Sequence, residues 1–212
     1  MKKRTKLPIV SEGWPFILVP AAVAAALALT GHRRLALPFA GAAAASLGFF
    51  RDPEREIPSL QNAVLAPADG RVTDVGDAED PFVGLAVRVA IFLSPLDVHV
   101  NRAPISGLVA GVSYTPGRFA PAYRPGAHET NERCALQLQG ENARVTVVQI
   151  AGIAARRIVC RVGPGDKLAA GERFGMIRFG SRTDCYMPRG TEIRVKPGDR
   201  VTGGTSTIGD VA

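Results

Sequence analysis

The residues able to do chemistry are few and widely spaced. Ser181 follows Gly180 at the end of Gly175–Met176–Ile177–Arg178–Phe179, His99 closes Ser94–Pro95–Leu96–Asp97–Val98–His99, and Asp69 sits in Pro67–Ala68–Asp69–Gly70. Between them they offer a hydroxyl nucleophile, an imidazole that exchanges a proton near neutral pH, and a carboxylate. Taken singly, each reads as structure. Gly-Ser and Asp-Gly are common turn pairs, and one histidine at a strand end is more often a packing residue than a catalyst. A serine hydrolase would surround its nucleophile with Gly-x-Ser-x-Gly or pair it with a lysine, and neither pattern surrounds Ser181. Cys134, Cys160 and Cys185 are odd in number and lack Cys-x-x-Cys spacing. That suits three reduced, mostly buried thiols rather than a zinc site or a disulfide framework.

The elements that must position these residues are strands. From Ala63 onward, short β-branched runs alternate with Gly, Pro and Asp, and no long helical periodicity appears. Expected strands include Arg71–Val75, Leu85–Phe92, Gly107–Tyr114, Cys134–Leu138, Arg144–Ile150 and Met176–Phe179. An internal echo gives the architecture: Val162, Pro164, Gly165, Asp166, Leu168 and Gly171 recur 33 positions later as Val195, Pro197, Gly198, Asp199, Val201 and Gly204. Each Pro-Gly-Asp supplies a tight turn followed by an inward apolar residue. The pattern resembles the hammerhead turns of biotinyl and lipoyl domains, so residues 56–212 are expected to form an all-β, barrel-sandwich type domain built on duplicated hairpins.

Residues 1–55 differ in character. Two apolar runs, Trp14–Thr30 and Leu35–Phe50, are separated by Gly31, His32, Arg33 and Arg34. The first has 17 residues, which as a helix reaches roughly 25 Å, short of a ~30 Å hydrocarbon core. A shallow helical membrane hairpin is the expectation, with two short spans as the alternative. A secretory signal is disfavoured because the second apolar run follows at once. Of the net charge of +7, residues 1–55 carry +5. Basic side chains flanking apolar segments suit anionic headgroups, whereas nucleic acid would call for basic and aromatic residues interleaved on the folded domain.

A longer set of motifs changes the weight of Gly180–Ser181. In chain order these are Phe49–Phe50–Arg51–Asp52–Pro53, Pro67–Ala68–Asp69–Gly70, Phe92–Leu93–Ser94–Pro95–Leu96–Asp97–Val98–His99, Gly117–Arg118–Phe119, Asn131–Glu132–Arg133, Ala155–Arg156–Arg157 and Phe179–Gly180–Ser181–Arg182. The ordered set resembles the short bacterial phosphatidylserine decarboxylases, from Phe49 to about Pro188. The resemblance implies a precursor that breaks between Gly180 and Ser181 into chains 1–180 and 181–212. Ser181 Oγ would attack the Gly180 carbonyl, which a residue without Cβ leaves open. Elimination and hydrolysis would then turn residue 181 into a pyruvoyl group. That covalent cofactor forms a Schiff base with the amine of a serine phospholipid and draws electrons as CO₂ leaves, so neither pyridoxal phosphate nor a metal is required.

The same resemblance implies that His99 is an acid or base in decarboxylation and that Asp69 assists self-cleavage. Longer members carry a second histidine three residues after the first, where this chain has Arg102, so a literal Ser-His-Asp triad is in question here. Arg118, Phe119, Arg133, Arg156 and Arg157 are candidates for holding the lipid, with surface ion pairing as the competing role of the arginines. Asp97 is read as orienting a turn and His128 as a solvated loop residue. The product would be phosphatidylethanolamine, the place of work the cytoplasmic face of the cell membrane, and a homo-oligomer is left open. The rival reading is a non-enzymatic carrier or adaptor, but Lys167 and Lys196 flank the Pro-Gly-Asp turns instead of occupying a hairpin tip.

Overall fold

Alternating apolar and polar residues from Ala63 onward build strands, and continuous apolar character before Phe50 builds helices. The computed structural model describes residues 8–121, 126–152, 157–178 and 181–211. The chain divides into two units, Met1–Glu54 and Arg55–Ala212. The first holds a one-turn 3₁₀ helix and two α-helices, α1 (Trp14–Leu29) and α2 (Arg33–Phe49). Ser11–Leu29 is long and apolar enough to cross a membrane by length and composition. Pro15 lies in the first turn of α1, where its missing N–H costs nothing. Phe50 is fully buried and stacks on Phe16 at 5.3 Å between ring centroids. A Cβ on Gly13 would come within 2.5 Å of Phe50, so glycine is required there.

The second unit is mostly β. Its strands are β1 (Ala63–Leu65), β2 (Gly70–Asp80), β3 (Gly84–Leu93), β4 (Val100–Arg102), β5 (Gly107–Thr115), β6 (Arg133–Gln139), β7 (Arg144–Ala151), β8 (Ile158–Cys160), β9 (Lys167–Leu168), β10 (Arg173–Ile177), β11 (Ser181–Pro188), β12 (Glu192–Ile193), β13 (Arg200–Val201) and β14 (Thr207–Asp210), with a short helix α3 (Ala127–Thr130) between β5 and β6. Eight of these form one antiparallel, curled sheet in the order β13-β2-β3-β11-β7-β6-β5-β9. Two three-stranded sheets, β1-β14-β12 and β4-β10-β8, accompany it. The core gathers inward residues of the large sheet, among them Val72, Val89, Ile91, Leu136, Leu138, Val147, Cys185 and Met187.

The two copies of the 33-residue echo form turns of the same local geometry. Gly165 and Gly198 adopt φ of 94° and 101°, a region that only glycine enters without strain. Asp166 accepts from the Gly163 N–H at 2.8 Å, and Asp199 from the Lys196 N–H at 2.9 Å. The two turns feed β9 and β13, which close opposite edges of the large sheet. A second echo escaped the sequence reading: Pro67–Ala68–Asp69–Gly70–Arg71–Val72 matches Pro104–Ile105–Ser106–Gly107–Leu108–Val109. The Asp69 carboxylate accepts from the Gly203 N–H at 2.8 Å, and the Ser106 hydroxyl accepts from the Ala170 N–H at 2.9 Å.

Four strands were not expected from the sequence: β4, β9, β13 and β11. The last matters most, because it is a central strand of the large sheet and begins at Ser181. The expected strand over Met176–Phe179 is instead the end of β10, Arg173–Ile177, in a different sheet.

Candidate active site

Between Arg178 and Ser181 the chain passes from the β4-β10-β8 sheet to the large sheet. On the near side, Ile177 donates its N–H to the His99 carbonyl at 3.2 Å and Arg178 donates to the Arg157 carbonyl at 3.2 Å. On the far side, Ser181 is already paired with Leu93 of β3 and Ala151 of β7. Gly180 itself lies outside the described residues, as do Phe179 and Arg156.

Side chains alternate along a strand, so Ser181 shares a face with Thr183 and the core residues Cys185 and Met187. Ser181 is fully buried, and its Oγ has no hydrogen-bond partner among the described residues. Leaving a buried hydroxyl unmatched costs about 1–3 kcal/mol, so each such group calls for a cause, a catalytic role among them.

Beneath this face lies a buried polar floor. Asn101 donates to Thr183 Oγ1 at 3.0 Å, and Gln149 donates to Asn101 Oδ1 at 2.8 Å, with all three residues fully buried. Gly175 makes room for it, since a Cβ there would fall 2.2 Å from the Val159 carbonyl and 3.0 Å from Gln149 Nε2. Two positions before Asn101, His99 is buried and its Nδ1 lies 2.9 Å from the Asp97 carbonyl. A carbonyl only accepts, so Nδ1 is the donor in this contact, which leaves Nε2 as the ring atom able to give or take a proton.

Asp97 holds its own turn as expected. Its Oδ2 accepts from the Ser94 N–H at 2.8 Å and from Ser94 Oγ at 2.7 Å, and Arg200 pairs with Oδ1 at 2.5 Å. Asp69 is bound by Arg55 through two hydrogen bonds, 2.6 and 2.8 Å, in addition to the Gly203 N–H. Arg102, in the position of the missing second histidine, is buried and donates to the Gly171 carbonyl at 3.0 Å.

The opposite face of β11 carries charge. Arg182 grips Asp184 with two hydrogen bonds of 2.5 and 2.8 Å, and both are buried. Arg88 of β3 joins Asp184 at 4.0 Å and Asp74 at 2.5 Å. Burial pushes the Asp184 carboxyl up, while Arg182 and Arg88 oppose that shift. His128 is not the solvated residue expected of its loop: it is half-buried, with Nε2 3.0 Å from Arg88 Nη1. Arginine only donates, so Nε2 accepts and the ring is neutral. Burial, then Arg182 and Arg88, lower its pKa.

The family model of phosphatidylserine decarboxylase matches residues 43–209. The chain belongs to the phosphatidylserine decarboxylase family. Among curated relatives, a phosphatidylserine decarboxylase proenzyme of Nitrosomonas europaea is 48% identical over 92% of this chain and 91% of its own. One of Symbiobacterium thermophilum is 48% identical over 95% of both chains, and one of Burkholderia pseudomallei 44% over 96% of both. The carrier reading finds no support in these matches.

Within this decarboxylase family member, Arg118, Phe119 and Arg133 lie on segments that join the large sheet near Ser181, and Arg157 precedes β8 of the smaller sheet. Asn131 donates to the carbonyls of Ala151 and Ala120 at 2.8 Å each, which ties the Arg118–Phe119 segment to the strand beside Ser181. Arg118 and Phe119 are both exposed. Arg133 donates to the Glu129 carbonyl at 2.6 Å and Arg157 is exposed. Among the described residues no three or more His, Cys, Asp or Glu side chains are grouped to hold a metal ion. Sequence reading missed Arg55, Asn101, Gln149 and Thr183. The signal for Thr183 was the alternation Ser181, Thr183, Cys185, Met187 against Arg182, Asp184, Tyr186.

Proposed function

We propose that this protein decarboxylates phosphatidylserine to phosphatidylethanolamine and CO₂ with a pyruvoyl group made from its own Ser181. Family membership supports the reaction, and the buried, unmatched Ser181 hydroxyl at the head of a central strand carries the reading of the residue. Ser181 Oγ takes over the Gly180 acyl group as an ester, and loss of the Cα proton then breaks the Cβ–Oγ bond so that Oγ remains in the new Gly180 carboxylate. Water hydrolyses the resulting imine, so that the nitrogen of residue 181 leaves as ammonia and a ketone oxygen takes its place. Chains 1–180 and 181–212 stay together because β11 is hydrogen-bonded on both sides, to β3 and β7. The new chain end is therefore held in a rigid frame.

Bound at residue 181, a pyruvoyl group supplies an electron-accepting ketone for carboxylate loss. The chain's own residues do the rest. His99 moves a proton at Nε2, with Nδ1 fixed on the Asp97 carbonyl. Asp69, neutralised by Arg55, aids self-cleavage by setting the turn whose Pro67 carbonyl accepts the Arg102 N–H at 2.9 Å, three residues past His99. Arg118, Arg133, Arg156 and Arg157 receive the lipid phosphate, with Phe119 beside an acyl chain. Helices α1 and α2 form the membrane hairpin, the β unit works at the cytoplasmic face, and the paired edge turns are the duplicated hammerheads of a barrel-sandwich fold. Three free thiols suit a reducing compartment.

The test is CO₂ release from phosphatidylserine vesicles. Wild-type protein is expected to release it without added cofactor, and Ser181→Ala to release none. Full turnover by Ser181→Ala would overturn the proposal.

A further inference from the structure

We infer that the Ser181 end of the β sheet is itself a lipid-docking rim, with Leu96 as an apolar tip that enters an anionic bilayer. The inference rests on the decarboxylase reading and adds to it a second membrane contact, one made by the β unit itself.

Leu96 is 83% exposed, beside exposed Pro95. A flexible loop would fold such a side chain inward, but this turn is fixed. The Asp97 N–H returns to the Ser94 carbonyl at 2.9 Å, the Asp97 carboxylate takes both the Ser94 N–H and hydroxyl, and Arg200 clamps the other carboxylate oxygen. The tip is thus presented at little conformational cost.

Its place is as informative as its rigidity. Leu93, where the turn begins, pairs with Ser181, and His99 follows three residues after the tip. On the other flank, Ala151 also pairs with Ser181, and through Asn131 it carries the segment bearing Phe119, 39% exposed. Apolar side chains therefore stand on both sides of the strand head where the headgroup must arrive. The charge along β2 points the same way, from exposed Arg71 at this end to exposed Asp77 and Glu79 at the far end. Arg118 and Arg157 are also exposed near Ser181. An exposed apolar tip on an end of the sheet that also carries exposed arginines matches the boundary between acyl chains and anionic headgroups. A protein partner would instead call for a broad apolar patch.

The test uses the full chain with Trp14→Phe, which removes its single tryptophan, and Leu96→Trp to place a reporter at the tip. With phosphatidylserine vesicles whose acyl chains carry bromine near the headgroup, the tip emission is expected to shift blue and be quenched. Unquenched emission overturns the inference, and so does a tip variant that changes oligomeric state without quenching, which would mark a protein interface. In parallel, Leu96→Asp is expected to raise KM for vesicle substrate on the order of tenfold. Its turnover of a short-chain, monomerically dissolved phosphatidylserine should be unchanged. Equal loss on both substrates, or on neither, contradicts the rim. Absence of any turnover in the wild type would instead refute the decarboxylase reading, since the quenching measurement needs no chemistry.

Discussion

The two faces of β11 bury comparable side chains and use them in opposite ways. Toward the core stand Ser181, whose hydroxyl has no partner among the described residues, and Thr183, bound into the Asn101–Gln149 floor. Away from it stand Arg182 and Asp184, each matched to the other by two hydrogen bonds and extended to Arg88, Asp74 and His128. The inner face leaves the hydroxyl at the strand's head unmatched, whereas on the outer face the buried carboxylate of Asp184 is compensated by arginines. On the proposed mechanism, the strand is held by its outer face so that its inner face can react. A reactive chain end in the middle of a sheet needs an anchor that survives loss of the covalent link behind it.

The largest effect should come on the reactive side. His99→Ala is expected to lower turnover by ~10²–10⁴-fold, the usual worth of a positioned acid or base, measured as CO₂ release from protein whose chain cleavage has been checked. Turnover within twofold of wild type would remove His99 from the mechanism. On the outer face, Asp184→Ala leaves the buried Arg182 guanidinium uncompensated. A loss of about 3–5 kcal/mol in urea unfolding is expected. A loss below ~1 kcal/mol would show that the outer face is not the anchor.

Between these lies the polar floor. Asn101→Leu strands the Thr183 hydroxyl and the Gln149 amide and should cost about 1–3 kcal/mol; an unchanged denaturation midpoint would mean that the floor contributes nothing to the frame. The smallest effect is the pH dependence of the outer face. The folded pKa of His128 lies below its ordinary 6.5. The contribution of the neutral ring to stability is complete above pH 6.5 and is lost as pH falls through that value toward the lowered folded pKa, because the unfolded chain takes up the proton first. His128→Gln should flatten that part of the stability profile, and an unaltered acid slope would assign it to other groups.

Much of this was legible in the residues, and what was not has a physical reason. The edge turns were readable because Pro164–Gly165–Asp166 and Pro197–Gly198–Asp199 encode backbone geometry locally, through positive φ at glycine and a carboxylate that caps its own turn. Helices α1 and α2 were readable because apolar runs of that length leave few alternatives. Strand β11 was not, because its outer positions carry Arg182 and Asp184, whose burial depends on partners far away in sequence, Arg88 and Asp74. A pattern of charges reads as surface until the compensating charges are placed. The pairing of Arg55 with Asp69 and the floor under Ser181 were hidden for the same reason, since they join residues 14, 48 and 82 positions apart. Ser181, His99 and Asp69 stood out through the ordered motifs around them, not through spacing alone.

The most direct measurement is the intact mass of the purified, active protein. Cleavage before Ser181 predicts two chains, the smaller comprising residues 181–212 with an amino end in which a ketone oxygen replaces the serine nitrogen and the hydroxyl oxygen is gone. A fully active protein of one unbroken chain, with an unmodified serine at position 181, would contradict the account.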